Sequence, residues 1–259
     1  MALLQVNFFS NVLKRNVPMN VILPIEEPAF GSGKGDERTE YKTLYLLHGL
    51  TDNYMDWLCN TRIRQYATSK KLAVVMPSGD NSFYIDLNEP NSNYGEFIGR
   101  ELVEITRKMF PLSQKREDTF IAGQSMGGFG AIRNGLKYAD TFSHIAAFSS
   151  AVHIFEMPLM NPEESLLGSL KVFGDLEKAS RTEKNPRVVF ENLKKNGGEV
   201  PRIYMSCGLQ DDLLESNRHM KAYFMEQGVD LTYEEVEGGH TWKVWDEEMK
   251  KVLKWLPLK

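Results

Sequence analysis

Two kinds of apolar pattern alternate along this chain. Short runs that are apolar almost throughout, "LAVVMPSG", "TFIAGQS", "HIAAFSS" and "RIYMSCG", have the length and composition of strands buried on both faces of a parallel sheet. Ahead of them "LLQVNFFS", "MNVILPI" and "TLYLLHG" predict three further strands, and "VDLTYEEVEGG" alternates apolar with polar residues as a late strand does. Between these runs, "MDWLCNTRIRQYATSK", "EFIGRELVEITRKMF", the stretch after Ser125 and "DLLESNRHMKAYFMEQG" space their apolar residues by three and four, as crossover helices do. "TWKVWDEEMKKVLKWL" closes the series as an amphipathic helix. The rhythm predicts an α/β fold with a mostly parallel central sheet of about eight strands flanked by helices, binding its ligand beyond the carboxyl ends of the strands.

Two stretches break the rhythm. "PAFGSGKGDERTEYK" gathers glycines and charges between apolar runs and reads as a solvated hairpin connection. Residues 152–199, approximately, separate the sixth and seventh strands by more than a crossover requires, which predicts an insertion of short helices. Its apolar cluster, Phe155, Met157, Leu159 and Met160, points to a cap over the site; the alternative is an extension of the core on one flank. No repeat, low-complexity tract or linker divides the chain, so a single domain spanning 1–259 is expected.

A composition of 42% hydrophobic and 25% charged residues is that of a globular protein and disfavours disorder. The formal net charge of −4 offers no general attraction to nucleic acid or to an anionic membrane, so a small-molecule substrate fits better. "MALLQVNFFSNVLKRN" carries no basic segment ahead of its apolar residues, and no apolar run approaches the roughly 20 residues of a membrane span. A cytoplasmic location is therefore expected. Cys59 and Cys207 have neither metal spacing nor a C-x-x-C signature, and are expected to be reduced thiols.

The chemistry concentrates around "TFIAGQSMGGFGAI". Gly123-Gln124-Ser125-Met126-Gly127 satisfies G-x-S-x-G between a strand and a helix, the context in which a sharp turn lifts a serine hydroxyl above the sheet edge. A serine needs a base and an orienting carboxylate, which follow an α/β-hydrolase nucleophile in the order acid, then histidine. His240, in "VEGGHTW" after the last strand, is the base on this reading; His153, just past the sixth strand, is a weaker candidate at the pocket rim. Asp211 and Asp212 both follow the "RIYMSCG" strand. Asp211 is preferred because it falls in the loop, whereas Asp212 suits a helix N-terminus. Backbone N–H groups of Met126 and of Leu50, in "LLHGLTDN", are the expected oxyanion donors, and Trp57, Phe83, Tyr84 and Trp242 are candidate pocket walls.

"YLLHGLTDNYMDW", "AVVMPSG", "TFIAGQSMGGFGAI", "CGLQDD" and "GGHTWKVW" stand in the order and spacing of the tributyrin-esterase branch of the esterase D family, which the chain resembles over nearly its whole length. That family is related to S-formylglutathione hydrolases and to acetyl and feruloyl esterases. The resemblance implies an α/β-hydrolase fold, a Ser125–Asp211–His240 triad, an oxyanion site at Leu50 and Met126, and hydrolysis of short-chain acyl esters without cofactor or metal. It also implies homo-oligomers. A thioesterase acting on a glutathione conjugate, an acyltransferase and a non-catalytic scaffold are the competing readings. Two stretches depart from the family pattern: Gln210-Asp211-Asp212, where one acidic residue beside the catalytic Asp and an aromatic are usual, and "NSFYIDL", where a Trp-Tyr loop is usual.

Overall fold

The computed structural model describes residues 1–25, 40–87, 89–155 and 166–258. Among these residues eight strands form one sheet: β1 (Ala2–Ser10), β2 (Arg15–Leu23), β3 (Thr43–Leu47), β4 (Ala73–Pro77), β5 (Thr119–Gln124), β6 (His144–Phe148), β7 (Arg202–Gly208) and β8 (Leu231–Val236). Their order across the sheet is β1-β2-β4-β3-β5-β6-β7-β8. β1 pairs antiparallel with β2, and β2 antiparallel with β4; every pairing from β4 to β8 is parallel. The expected mostly parallel sheet is thus present, with its antiparallel part at one edge.

Strand periodicity sorts the core into two layers, because alternate side chains leave opposite faces of a strand. Tyr45 and Leu47 of β3 and Ile121 of β5 enter one layer. Leu44, Leu46, Phe120 and Ala122 enter the other. The first layer is closed by the segment α3 (Tyr94–Glu96), a π turn over Phe97–Glu101 and α4 (Leu102–Met109), and by α5 (Met126–Lys137). The second is closed by α1 (Asp56–Asn60) and α2 (Ile63–Ser69), with α9 (Trp242–Trp255) lying across it. Between them in sequence come α6 (Leu176–Ser180), α7 (Pro186–Lys195) and α8 (Leu214–Glu226).

The insertion between β6 and β7 contains 3₁₀ turns over Val152–Phe155 and Leu166–Phe173, then α6 and α7. The short helices start where the sequence supplies caps. Asp175 accepts from the Lys178 N–H, and Asn185 from the Arg187 N–H, with Pro186 at the first helical position where its missing N–H costs nothing. Phe155 and Phe173 pack edge-on against each other, and against Phe129 of α5 Phe173 stands edge-on and Phe155 tilted, so this part of the insertion thickens the first core layer. Met157, Leu159 and Met160, the rest of the expected cap cluster, lie outside the described residues, as does most of the expected hairpin connection at 28–42. Among the described residues no helix is long and apolar enough to cross a membrane.

Candidate active site

Ser125 sits where β5 ends and α5 begins, at φ 55° and ψ −118°. A non-glycine residue there carries about 1–3 kcal/mol of backbone strain, which persists only where the surroundings impose it. They do so on both sides. The Ser125 N–H donates to the Phe148 carbonyl at 2.9 Å, and the Ser125 carbonyl accepts from Ala151 and Phe129. A Cβ on Gly123 would lie 2.4 Å from the Gly127 backbone, and one on Gly127 2.5 Å from the Leu47 carbonyl oxygen. The glycines therefore let α5 start directly against β5 and against the loop after β3.

Two loops bring the other partners over Ser125. The Leu209 N–H donates to Val236 O, and the Gln210 N–H to Gly238 O, while the Gln210 side chain accepts from the Gly238 N–H at 2.7 Å. These bonds fasten the loop after β7 to the loop after β8. Gly208 has room for this approach only without a Cβ, which would meet the Gly238 oxygen at 2.2 Å. As a result, His240 Nδ1 lies 3.0 and 3.2 Å from the two Asp211 oxygens, and His240 Nε2 lies 3.0 Å from Ser125 Oγ. With a proton on Nδ1, the imidazole donates to Asp211 and accepts the Ser125 hydroxyl proton at Nε2.

The two acids diverge sharply. The Asp211 side chain is fully buried and accepts from the Leu213 N–H at 2.9 Å, whereas Asp212 is exposed. Burial pushes the Asp211 carboxyl up, but hydrogen bonds from His240, Ser149 and Leu213 outweigh it and hold it below the ordinary carboxylate range. On the other flank His48 is buried and neutral-leaning, its pKa lowered chiefly by desolvation. Its Nδ1 donates to Gly49 O and its Nε2 accepts from the Gly79 N–H, both at 2.8 Å, while the Tyr84 hydroxyl donates to His48 O. His48 thus fixes the loop that carries Leu50. Met126 is the first residue of α5, where helical N–H groups have no partner within the helix.

Residues 10–256 match the family model described as "Putative esterase". The chain belongs to this esterase family. An acetyl esterase of Caldicellulosiruptor saccharolyticus is 43% identical over 261 residues, covering 99% of this chain and 98% of that protein. Two Staphylococcus aureus structures are similar over 98% of both chains: the S-formylglutathione hydrolase FrmB, 29% identical with a TM-score of 0.84, and the fluorophosphonate-binding serine hydrolase FphF, 30% identical with a TM-score of 0.82. The esterase is a carboxylic ester hydrolase with the α/β-hydrolase fold.

Of the four aromatic residues expected to wall the esterase's pocket, three are buried. Trp57, Phe83 and Tyr84 are 1%, 4% and 0% exposed, so none presents an open face to a ligand. Trp57 donates its indole N–H to Leu47 O. Phe83 and Tyr84 adopt φ of 50° and 54°, a turn that sends both rings inward, onto Phe129 and beneath His48 respectively. Trp242 is half-buried, edge-on to both Trp57 and Trp245. His153 lies in the 3₁₀ turn after β6 and makes no part of the Ser125–His240–Asp211 set. Sequence reasoning missed Ser149, Trp245 and Asp52. Asp52 accepts from Gln124 Nε2 at 2.7 Å and, half-buried, has its carboxyl pushed up by desolvation and by Asp56. The only signal for these three was position, at a strand end, in a first helical turn and in the glycine loop.

Proposed function

We propose that this esterase cleaves short-chain acyl esters, acetyl foremost, through an acyl-enzyme on Ser125. Ser125 Oγ attacks the ester carbonyl as His240 Nε2 takes its proton, and Asp211 stabilises the imidazolium. The N–H groups of Met126 and Leu50 receive the oxyanion, and His240 then protonates the departing alcohol. Water repeats the sequence and releases the acid. The observation that carries this reading is the 3.0 Å contact between His240 Nε2 and Ser125 Oγ, with Asp211 on the opposite ring nitrogen. The acetyl preference is supported by the full-length acetyl esterase relative. Trp242 is the remaining aromatic for the alcohol side of the site, and the insertion after β6 is the selecting element of the same single domain.

Steady-state rates on p-nitrophenyl esters of increasing chain length test the proposal. Acetyl and butyryl esters are expected to lead, with Ser125→Ala inactive and resistant to fluorophosphonate labelling; undiminished turnover by Ser125→Ala ends it. Similarity to FrmB favours one second reading, a thioesterase for S-formylglutathione. Against it, Asp52 places an acidic side chain beside the oxyanion loop, which repels a leaving group bearing carboxylates. A higher kcat/KM on S-formylglutathione than on any neutral ester would reverse the order. The proposal also includes a reducing, cytoplasmic setting, supported by the free thiols of Cys59 and Cys207, and self-association, supported by exposed Leu3 and Phe9 on the edge strand β1.

A further inference from the structure

Behind the acid lies a second hydrogen-bonded chain that the reaction scheme above does not use. Ser149 directly follows β6, is completely buried, and holds φ 45°. Its N–H donates to Ser206 O at 2.7 Å, which locks this left-handed residue onto the end of β7. Its hydroxyl receives the indole N–H of Trp245 at 3.1 Å and faces both the Asp211 carboxylate and the Cys207 thiol. The Trp245 ring stands at 87° to the His240 imidazole with centroids 4.9 Å apart. One tryptophan in the first turns of α9 therefore touches the base with its ring and the acid's partner with its N–H.

The proton inventory gives this chain a direction. Indole Nε1 only donates, so it fills a lone pair of Ser149 Oγ. A hydroxyl has one proton, and an ionised carboxylate is the strongest acceptor near it, so Ser149 donates to Asp211. The neighbouring Cys207 competes weakly. Its thiol is pushed up to about 12 by burial and by Asp211, so it remains S–H and is itself a donor toward that carboxylate.

We propose that Ser149 and Trp245 are positioning residues for the acid–base pair: Trp245 orients the Ser149 hydroxyl, Ser149 holds the Asp211 carboxylate in line with His240 Nδ1, and the Trp245 ring fixes the imidazole plane. The inference rests on the triad reading of the preceding section. The strained backbone of Ser149 fits the role, since a glycine would suit that φ better but would supply no hydroxyl.

Three variants test it: Ser149→Ala, Ser149→Gly and Trp245→Phe, with Ser149→Ala/Trp245→Phe as the double. The charged and titratable groups facing the pair are Asp52 toward His240 and Cys207 toward Asp211; both remain in every variant. Removing one hydrogen bond to a carboxylate is expected to lower kcat on p-nitrophenyl acetate by about 10- to 100-fold with KM little changed. It also moves the acid limb of kcat/KM to higher pH, because a carboxylate with one donor fewer holds more negative charge against the imidazole. Trp245→Phe keeps the ring and loses the N–H, so its smaller loss is expected to vanish in the Ser149→Ala background. Ser149→Gly is expected to lose activity without losing thermal stability. Should Ser149→Ala fold poorly, Ser149→Gly and Trp245→Phe still report, the latter also through broadening of the low-field Nδ1 proton resonance of His240. Unchanged kcat and pH profile in these variants, or equal losses of activity and stability, overturn the proposal. Failure of the triad reading looks different, since Ser125→Ala would then keep its activity.

Discussion

At the scale of single residues, the choice between Asp211 and Asp212 has the sharpest consequences. Asp211 is buried and bonded to His240, whereas Asp212 is exposed. Asp211→Asn leaves the shape but inverts the hydrogen-bonding partner of Nδ1, so kcat is expected to fall by about 10⁴-fold, while Asp212→Asn stays within about twofold of the parent. Measured kcat values for the two variants decide it. The depressed Asp211 pKa has a second consequence. A carboxyl whose folded pKa lies below its unfolded value stabilises the fold above the unfolded value, and that contribution disappears as pH falls through the folded one. The melting-temperature advantage of the parent over Asp211→Asn is therefore expected at neutral pH and to shrink on acidification below about pH 4. Sequence pattern made Ser125 and His240 legible because a strand, a tight turn and a glycine loop each leave a local mark. It narrowed the candidate acid to two neighbours and preferred Asp211 for its place in the loop, although both follow the same strand with the same chemistry. What separates them is a turn, in which Asp211 N–H bonds to Gly208 O and Leu214 N–H to Asp211 O. Ser149 and Trp245 left no mark, because they lie 96 positions apart and meet only in three dimensions.

At the scale of elements, all eight strands could be read from pattern: β3 to β7 as apolar runs, because strands buried on both faces carry few polar residues, and β1 and β8, which stay partly exposed, from apolar residues spaced among polar ones. Partnership was less legible. β2 precedes β3 in sequence yet pairs with β4, and no pattern within either strand records that. The predicted helix over "MDWLCNTRIRQYATSK" is two helices, α1 and α2, parted at Thr61 and Arg62, where Arg62 turns to bond Asp246 of α9. The aromatic loop turns inward for a related reason. Apolar residues near strand ends suggest a ligand wall, but positive φ at Phe83 and Tyr84 directs them inward, where the Tyr84 hydroxyl donates to His48 O and braces the loop that carries Leu50. Tyr84→Phe strands the His48 carbonyl without its donor. A loss of about 1–3 kcal/mol in urea unfolding is expected, with kcat lowered and KM nearly unchanged, because the loop carrying Leu50 loses its support. Gly127→Ala presses a methyl onto the Leu47 and His48 carbonyls of the same loop. Its fluorophosphonate labelling rate is expected to drop further than that of Tyr84→Phe, and the reverse order would show that the loop yields easily.

At the scale of the whole molecule, one carboxylate ties α5, the helix that follows Ser125, to the elements around it. Asp86 accepts from Arg133 at 3.3 Å and from Lys137 at 3.2 Å, both on α5, and from the Glu96 N–H at 2.8 Å. Arg133 in turn donates to Glu183 O at 2.9 Å, and Lys137 pairs with the Glu183 carboxylate at 3.3 Å, so the network continues into the insertion. Arg133 is 2% exposed, so its charge depends on these partners rather than on water. Removing only the acid leaves a buried guanidinium with carbonyl acceptors alone, a change that costs about 3–5 kcal/mol. Asp86→Ala is expected to lose that much in chemical denaturation, while Asp86→Ala/Arg133→Met recovers part of it, because no uncompensated charge remains. Burial pushes the Asp86 carboxyl up, but Arg133, the Glu96 N–H and Lys137 together hold it below the ordinary range. By the sign already applied to Asp211, its contribution is present at neutral pH and is lost as acid protonates it. Acid should therefore loosen the insertion from α5 through the same group whose removal destabilises the fold. Hydrogen exchange in α7 is expected to rise on acidification in the parent and to be high and nearly pH-independent in Asp86→Ala. Equal protection of α7 in the two proteins at neutral pH would mean that the insertion is held by Phe155, Phe173 and their aromatic neighbours rather than by charge.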